Sequence, residues 1–208
     1  MDLLLSTFVV LLVVIDPIGL APLFFTLARN QTRAQQRRTA VQSVALAAAM
    51  LLIFFFTGDT LLHVLGIGMP AFRIAGGALL FLLAIDMVFA RHSGLRSTTT
   101  REQKEAATRN GIAVFPLAFP LIAGPGSLTT VLLMASSWNN RLEFIGMLAV
   151  LLAVLLLALL SLLASPYLMR LLGETGANVV SRLLGLILAA LAVQYILDGV
   201  VMSLAGQT

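Results

Sequence analysis

Residues 8–25, FVVLLVVIDPIGLAPLFF, place a carboxylate and two prolines inside an otherwise apolar run. Asp16 followed by Pro17 is typical of a helix start, because an Asp side chain accepts hydrogen bonds from free N–H groups and proline needs no N–H at the first helical position. Gly19 supplies an N–H at a suitable spacing. A helix break inside a membrane is tolerated only where protein or a cavity surrounds the freed backbone groups. The stretch therefore predicts a first membrane helix that is broken at Asp16.

A second interrupted run, residues 115–133 (FPLAFPLIAGPGSLTTVLL), repeats this arrangement in the later half of the chain. Gly124 takes the place of Asp16, and Pro125 takes the place of Pro17. Two more prolines precede this break and make a straight helix there unfavourable. The run predicts a fourth membrane helix that is broken at the corresponding point.

The motif Arg-x-x-Gly also occurs twice, beginning at Arg73 and at Arg182. The interval between these arginines exceeds the interval from Pro17 to Pro125 by a single position. Two independent pairs of motifs thus agree in spacing, which predicts two copies of one unit. The first repeat covers about residues 1–90 and the second about 111–208, and a polar linker at about 91–110 joins them. Three spans in each repeat reverse the orientation of the second, so the repeats are predicted to be inverted.

Composition places the chain in a membrane. Of the 208 residues, 60% are hydrophobic and 11% are charged, against roughly 25% charged in a soluble domain, and the mean hydropathy is +1.03. The absence of cysteine excludes disulfides and thiolate chemistry in this chain. A membrane helix needs about 20 apolar residues, so the prediction is an all-α integral membrane protein with one membrane domain over residues 1–208. Six apolar runs fit this length, near residues 3–28, 40–65, 70–90, 111–136, 143–168 and 178–204.

The basic residues are unevenly distributed between the two predicted faces of the membrane. Ten of the thirteen Lys and Arg residues fall on the face opposite to the termini, and basic loops favour the cytoplasmic side. We therefore expect the linker to be cytoplasmic and both termini to lie outside. This distribution accounts for the pI near 10.7 without a nucleic-acid partner. The ten are Arg29, Arg33, Arg37, Arg38, Arg91, Arg96, Arg101, Lys104, Arg109 and Arg170.

The two breaks predict a substrate site with opposite charge at its two ends. Asp16 carries a carboxylate that can face a cation, whereas the helix after Gly124 presents N–H groups and partial positive charge without a built-in anion. A zwitterionic α-amino acid suits both ends. Two plainer interpretations stay open: Asp16 only caps its helix, and Gly124 only permits close helix packing. The candidate substrate-binding residues are Asp16, Pro17, Gly19, Gly124, Pro125, Gly126 and Ser127.

Polar residues in the third helix of each repeat are candidates for coupling or gating. Arg73 and Arg182 each open such a helix and are either gate residues or interfacial anchors. Gln194 follows Asp86 at the same interval that separates Pro17 from Pro125, and a buried amide favours an interhelical hydrogen bond. Asp16 joins this group as the candidate proton carrier, because an ionisable residue at membrane depth usually marks a pathway.

Nothing in the sequence points to catalysis. GxSxG, HExxH, Walker and Rossmann patterns do not occur, and the two histidines are far apart in the chain and make a weak metal site. We therefore expect no enzyme activity, no catalytic residues, no metal site and no cofactor. The expected partners are a small zwitterionic solute and the lipid bilayer, without nucleic acid, and formation of a homo-oligomer stays open.

Several motifs carry a resemblance to a known family. They are Asp16-Pro17-Ile18-Gly19 with Pro22, Arg73-Ile74-Ala75-Gly76-Gly77, Pro116-Leu117-Ala118 with Pro120, Ala123-Gly124-Pro125-Gly126, and Arg182-Leu183-Leu184-Gly185-Leu186 with Gln194 and Asp198-Gly199. Together they resemble the MarC family of bacterial inner-membrane proteins, also described as a small neutral amino acid transporter family. The resemblance covers essentially the whole chain. It implies a six-helix inner-membrane protein, and some family members are assigned to transport or export of small neutral amino acids.

The functional prediction combines the breaks with this resemblance. It is a secondary transporter or exporter of small neutral amino acids, with alternating access around a site at the middle of the membrane. Proton coupling, the exact substrate and the direction of transport stay open. The alternatives are a membrane scaffold without transport, or a channel or anionic-lipid carrier in which the cluster from Arg29 to Arg38 contacts lipid.

Overall fold

The structure, a computed structural model, describes residues 2–89, 113–135 and 140–205, and the regular elements in these ranges are all helices. The predicted linker at 91–110 lies outside them. The all-α prediction is confirmed for the described part of the chain. An irregular helical segment, Val114–Ile122, precedes the fifth helix. In chain order the helices are α1 (Asp2–Ile15), α2 (Pro17–Leu27), α3 (Arg33–Val64), α4 (Met69–Val88), α5 (Pro125–Ala135), α6 (Arg141–Leu163) and α7 (Ser165–Ala205).

The lengths of the apolar helices are those of a multi-pass membrane protein. Five stretches are long and apolar enough to cross a membrane, and there are six if the irregular segment and α5 form one span bent by 50°. In that case the stretches match the six predicted runs in order. Helices α1 and α2 together make the first stretch. The five are Leu4–Leu27, Arg33–Gly58, Met69–Val88, Arg141–Leu163 and Thr175–Ala205.

Helix α3 begins earlier than the predicted second run, at Arg33 instead of near residue 40. A capping box sets this start. The Gln35 N–H donates to the Thr32 hydroxyl (3.4 Å), and the Thr32 N–H donates to Gln35 Oε1 (2.9 Å). Such reciprocal bonds satisfy N–H groups that a helix start otherwise leaves free. Polar helical turns therefore precede the apolar part of α3.

The boundary between the last two spans also differs from the prediction. The apolar pattern predicts a connection between residues 168 and 178, whereas α6 ends at Leu163 and α7 begins at Ser165. Helix α7 joins two helical stretches across a kink at Gly173, where φ is 63°, and its apolar, membrane-length part begins at Thr175. Glycine adopts this left-handed region without a steric penalty. The change of direction therefore depends on one glycine.

The helices pack across the two halves of the chain. Helix α3 contacts the irregular segment and α5, whereas α6 contacts α1 and α2. Helix α4 packs along α7 so closely that a Cβ added at Gly77 would lie 2.7 Å from the carbonyl oxygen of Ala192. Small residues allow membrane helices to approach in this way. The core has two parts, one that includes Leu151 and a smaller one that includes Leu80 and Leu188.

Candidate functional site

The first break lies at Asp16, which separates α1 from α2. Its φ of 50° makes it the one non-glycine residue with positive φ among those described. The Asp16 N–H donates to the Leu12 carbonyl (2.9 Å), and the Asp16 carbonyl accepts from the Leu20 N–H (3.0 Å). Pro17 has no N–H to satisfy. Helix α1 therefore ends and α2 begins at Asp16, while helical hydrogen bonds continue on both sides of this residue.

The Asp16 carboxylate joins this break to α7. The side chain is buried, with 1% of its surface exposed. Its Oδ1 accepts from the Gly19 N–H (3.0 Å), as the sequence predicts, and its Oδ2 accepts from the Ser181 hydroxyl (2.9 Å). Sequence reasoning missed Ser181, which directly precedes the second Arg-x-x-Gly motif. No local pattern marks it, because the partner is 165 residues away in the chain.

Gly19 is required by the tight approach of α2 to α7. A Cβ at this position would overlap the Asp16 carboxylate and would lie 2.6 Å from the Ser181 hydroxyl oxygen. Helix α6 also reaches the break, since the Ser161 hydroxyl donates to the Pro17 carbonyl. Two serines from the second half of the chain thus bind the first break.

The second break lies between the irregular segment and α5. The backbone of Phe115 and Phe119 is not helical, and α5 starts with the Gly124 carbonyl accepting from the Leu128 N–H (2.9 Å). A Cβ at Gly124 would overlap the carbonyl oxygen of Pro120. Glycine at this cap position is therefore required by the turn itself. This contact lies within one turn of the chain and differs from the packing between helices that was the plainer interpretation of Gly124.

A small pocket lies at this second break. Its volume of about 10 Å³ is near the minimum for a single water molecule. Four predicted substrate-binding residues line it, whereas Asp16, Pro17 and Gly19 are not among its lining residues. Val14, two positions before Asp16, reaches it from the first break. The lining consists of Val14, Leu83, Pro120, Leu121, Gly124, Pro125, Gly126 and Ser127.

The first turns of α5 bury three hydroxyl groups, those of Ser127, Thr129 and Thr130. Thr130 donates to the carbonyl of Gly126 (2.9 Å), which is the usual bond of a hydroxyl to its own helix. Ser127 is 2% exposed and lines the pocket, and no hydrogen bond of its hydroxyl occurs among the described residues. Ser127 is therefore the polar side chain of this turn that can bind a solute.

Two of the predicted coupling residues, Arg73 and Gln194, both contact Asp198, away from the breaks. A guanidinium nitrogen of Arg73 lies 4.0 Å from a carboxylate oxygen of Asp198. The buried Nε of Arg73 has no hydrogen-bond partner among the residues that the structure describes. The Gln194 amide donates to Asp198 (2.7 Å) one turn along the same helix, so the predicted interhelical bond of Gln194 is wrong. This cluster links α4 to α7.

The remaining candidates stay apart from this cluster. Arg182 is exposed, and Asp86 is half-buried near the other end of α4. The structure thus places Arg73, Arg182 and Asp86 in separate regions of the α4 and α7 pair.

The helices, their apolar lengths and the buried breaks define a multi-pass integral membrane protein. The family model for "MarC family integral membrane protein" matches residues 1–204, so the chain belongs to the MarC family. The resemblance read from the motifs is thereby confirmed.

Relatives of this chain carry membrane-protein names. It is 35% identical to the "UPF0056 membrane protein YhcE" of Escherichia coli, over 93% of this chain and 89% of that protein. It is 34% identical to the "UPF0056 inner membrane protein YhgN" of the same organism, over 99% and 100%. A "UPF0056 membrane protein" of Aquifex aeolicus is 34% identical over 95% and 92%. No solved structure matches the chain significantly.

Proposed function

We propose that the protein is a secondary transporter of small neutral amino acids across the inner membrane, with its substrate site at the two helix breaks. One observation carries the proposal. Val14, close to the break at Asp16, lines the pocket formed by Gly124 and Ser127 at the other break. Irregular backbone at membrane depth is tolerated where it lines a cavity, and paired breaks are typical of transporter sites.

We further propose that the two halves of the chain are inverted repeats with broken first and fourth helices. In support, α3 of the first half packs on the second break, and α6 of the second half packs on the first. Helices α4 and α7 run antiparallel, since Gly77 approaches Ala192 and Gly199 approaches Pro70. A two-fold axis in the membrane plane predicts both the exchanged contacts and the antiparallel pair.

The charges of the two breaks suit a zwitterion. The start of α5 offers N–H groups and the Ser127 hydroxyl to a carboxylate, and Asp16 offers its own carboxylate to an ammonium group. In this conformation Asp16 is bound to Gly19 and Ser181, and the pocket is too small for an amino acid. Substrate binding therefore requires an opening movement that brings Asp16 towards α5. Alternating access supplies such a movement.

Counterflow of radiolabelled alanine into proteoliposomes tests this function. We expect uptake by the wild-type protein. We expect Ser127→Ala to raise the apparent KM by about 10- to 100-fold, because one hydrogen bond to the carboxylate is lost and a charge-assisted bond contributes about 1.5–3 kcal/mol. The matched control is Thr130→Val, whose hydroxyl already binds the Gly126 carbonyl. Its KM should stay within about twofold of wild type.

Two results would overturn the proposal. Folded wild-type protein that exchanges none of alanine, glycine, serine or threonine would remove the transport function. Equal changes in KM for the two variants at positions 127 and 130 would remove the pocket from the substrate path, because only Ser127 lines it.

We also propose that both termini face the outside. Exposed Arg29, Arg33, Arg37 and Arg38 cluster where α2 meets α3, and basic ends favour the cytoplasm. Alkaline phosphatase fused after Thr208 should therefore be active, and a fluorescent protein that matures only in the cytoplasm should stay dark there. The same fusions within the linker at 91–110 should give the opposite pair of signals. A bright fusion at the C-terminus would reverse the proposed orientation.

A further inference from the structure

Four arginines form a positive cluster at one end of the helix bundle. Arg29, Arg33, Arg37 and Arg38 are all exposed, and no acidic residue occurs from residue 17 to residue 58. None of the four takes part in an ion pair with a described residue. A guanidinium group is a fixed positive charge with five N–H donors, and its fork matches the oxygens of a phosphate. The cluster therefore has the chemistry of a phosphate-binding surface.

Hydrogen bonds hold the backbone of the loop between α2 and α3 in place. The Gln36 amide donates to the carbonyl of Ala28 (3.0 Å) and to that of Gln31 (3.3 Å). The Thr39 hydroxyl donates to the side-chain oxygen of Gln31 (3.0 Å). These bonds fix the loop that carries Arg29 against the first turns of α3, which carry Arg33 and its neighbours. A fixed surface loses less entropy on binding than a mobile one.

An apolar stripe continues from this cluster along α3. Val41, Ile53 and Phe56 are exposed by 44%, 60% and 59%. Helical geometry at about 3.6 residues per turn puts all three near the face on which Arg38 lies. The apolar part of α3 is one of the predicted membrane spans, so this stripe faces lipid chains. Positive groups that can bind a lipid head thus stand directly above an acyl-chain surface.

We propose that this surface binds one anionic phospholipid of the adjacent leaflet, with its phosphate on Arg37 and Arg38 and its acyl chains along α3. Juxtamembrane clusters of basic residues attract anionic lipids by about 1 kcal/mol per residue. The inference goes beyond transport, since it assigns a lipid site that is distinct from the pocket at Ser127. It holds whether or not the protein moves amino acids.

Native mass spectrometry of the detergent-solubilised full chain tests the site. We titrate phosphatidylglycerol, phosphatidylcholine of the same acyl chains, and soluble glycerol 3-phosphate. One phosphatidylglycerol should bind at least tenfold more tightly than phosphatidylcholine. The double variant Arg37→Gln/Arg38→Gln should lose about tenfold in affinity. Arg170→Gln is the control, because Arg170 is exposed without a second basic residue within ten positions, and its affinity should stay within twofold.

Each alternative outcome contradicts the proposal in a different way. Equal binding of the two lipids, or unchanged binding by the double variant, would overturn it. Binding of glycerol 3-phosphate as tight as that of phosphatidylglycerol would replace the lipid site by a soluble-phosphate site. Because the substituted side chains are exposed, the variants should unfold at the wild-type temperature without lipid, and this measurement separates lost binding from lost folding.

Discussion

Asp16→Ala is expected to destabilise the folded protein by about 3 kcal/mol and to abolish the proposed transport. The substitution removes the cap of α2 and leaves the Gly19 N–H and the Ser181 hydroxyl without their acceptor. A buried donor without a partner costs about 1–3 kcal/mol, and loss of an N-cap typically costs about 1 kcal/mol. Thermal unfolding in detergent, followed by the fluorescence of the single tryptophan, measures the change.

Two further variants separate capping from contact with α7. Asp16→Asn keeps an acceptor for Gly19 and preserves the shape of the side chain, so it should cost less than Asp16→Ala. Ser181→Ala removes one hydrogen bond, which is worth about 1 kcal/mol. Because Asp16 and Ser181 are bonded, the Asp16→Ala/Ser181→Ala double variant should lose less stability than the sum of the two single changes. Additive losses would contradict the contact between α2 and α7.

Gly124→Ala is expected to have the second large effect, a loss of about 3 kcal/mol at the upper end of overpacking costs. The added methyl group overlaps the carbonyl oxygen of Pro120. This oxygen belongs to the backbone and cannot rotate aside, so the turn before α5 must move. The same turn carries Ser127 into the pocket. Alanine counterflow should therefore fall to background together with the stability.

Gly68→Ala is the matched control for this change. Gly68 also stands at the start of a helix with proline in its first turn, and its φ is −69°. A Cβ there would meet only Pro70 Cδ, at an ordinary distance of 3.7 Å. Gly68→Ala therefore removes a glycine from a cap position without creating an overlap. We expect it to lower the free energy of unfolding by less than about 1 kcal/mol. Equal losses in both variants would show that cap preference, and not the overlap with Pro120, causes the effect.

Local rules predict much of the first break. The Asp16 cap and its bond to Gly19 span three residues, and the hydrogen-bond geometry of a helix start fixes such a distance. The start of α3 also follows from a local pattern, because Thr32 and Gln35 have the spacing of a capping box. Hydropathy alone, however, favoured a helix start near residue 40. Apolar length favours the buried part of a helix and overlooks polar turns that extend beyond it.

The second break and the coupling residues were less accessible from sequence. The prolines predict a bend, but the overlap at Gly124 depends on how the chain returns towards Pro120. The amide of Gln194 was expected to bind another helix, but it donates a hydrogen bond to Asp198, one turn away on the same helix. A polar side chain binds the nearest competent partner, and the pattern of apolar residues does not reveal which partner is nearest.

The sequence by itself determined that this protein is an all-α membrane protein of the MarC family, and it predicted interruptions at Asp16 and Gly124. The length of an apolar run and the effect of a proline are both confined to one helical span. The order of residues along the chain is therefore enough to predict the membrane helices and their interruptions. Tertiary structure alone decided that Ser181 and Ser161 bind the first break, and that Val14 and Ser127 line one pocket at the second. These contacts join residues from opposite halves of the chain. They depend on which helix faces pack together, and many sequences of similar hydropathy allow different packings.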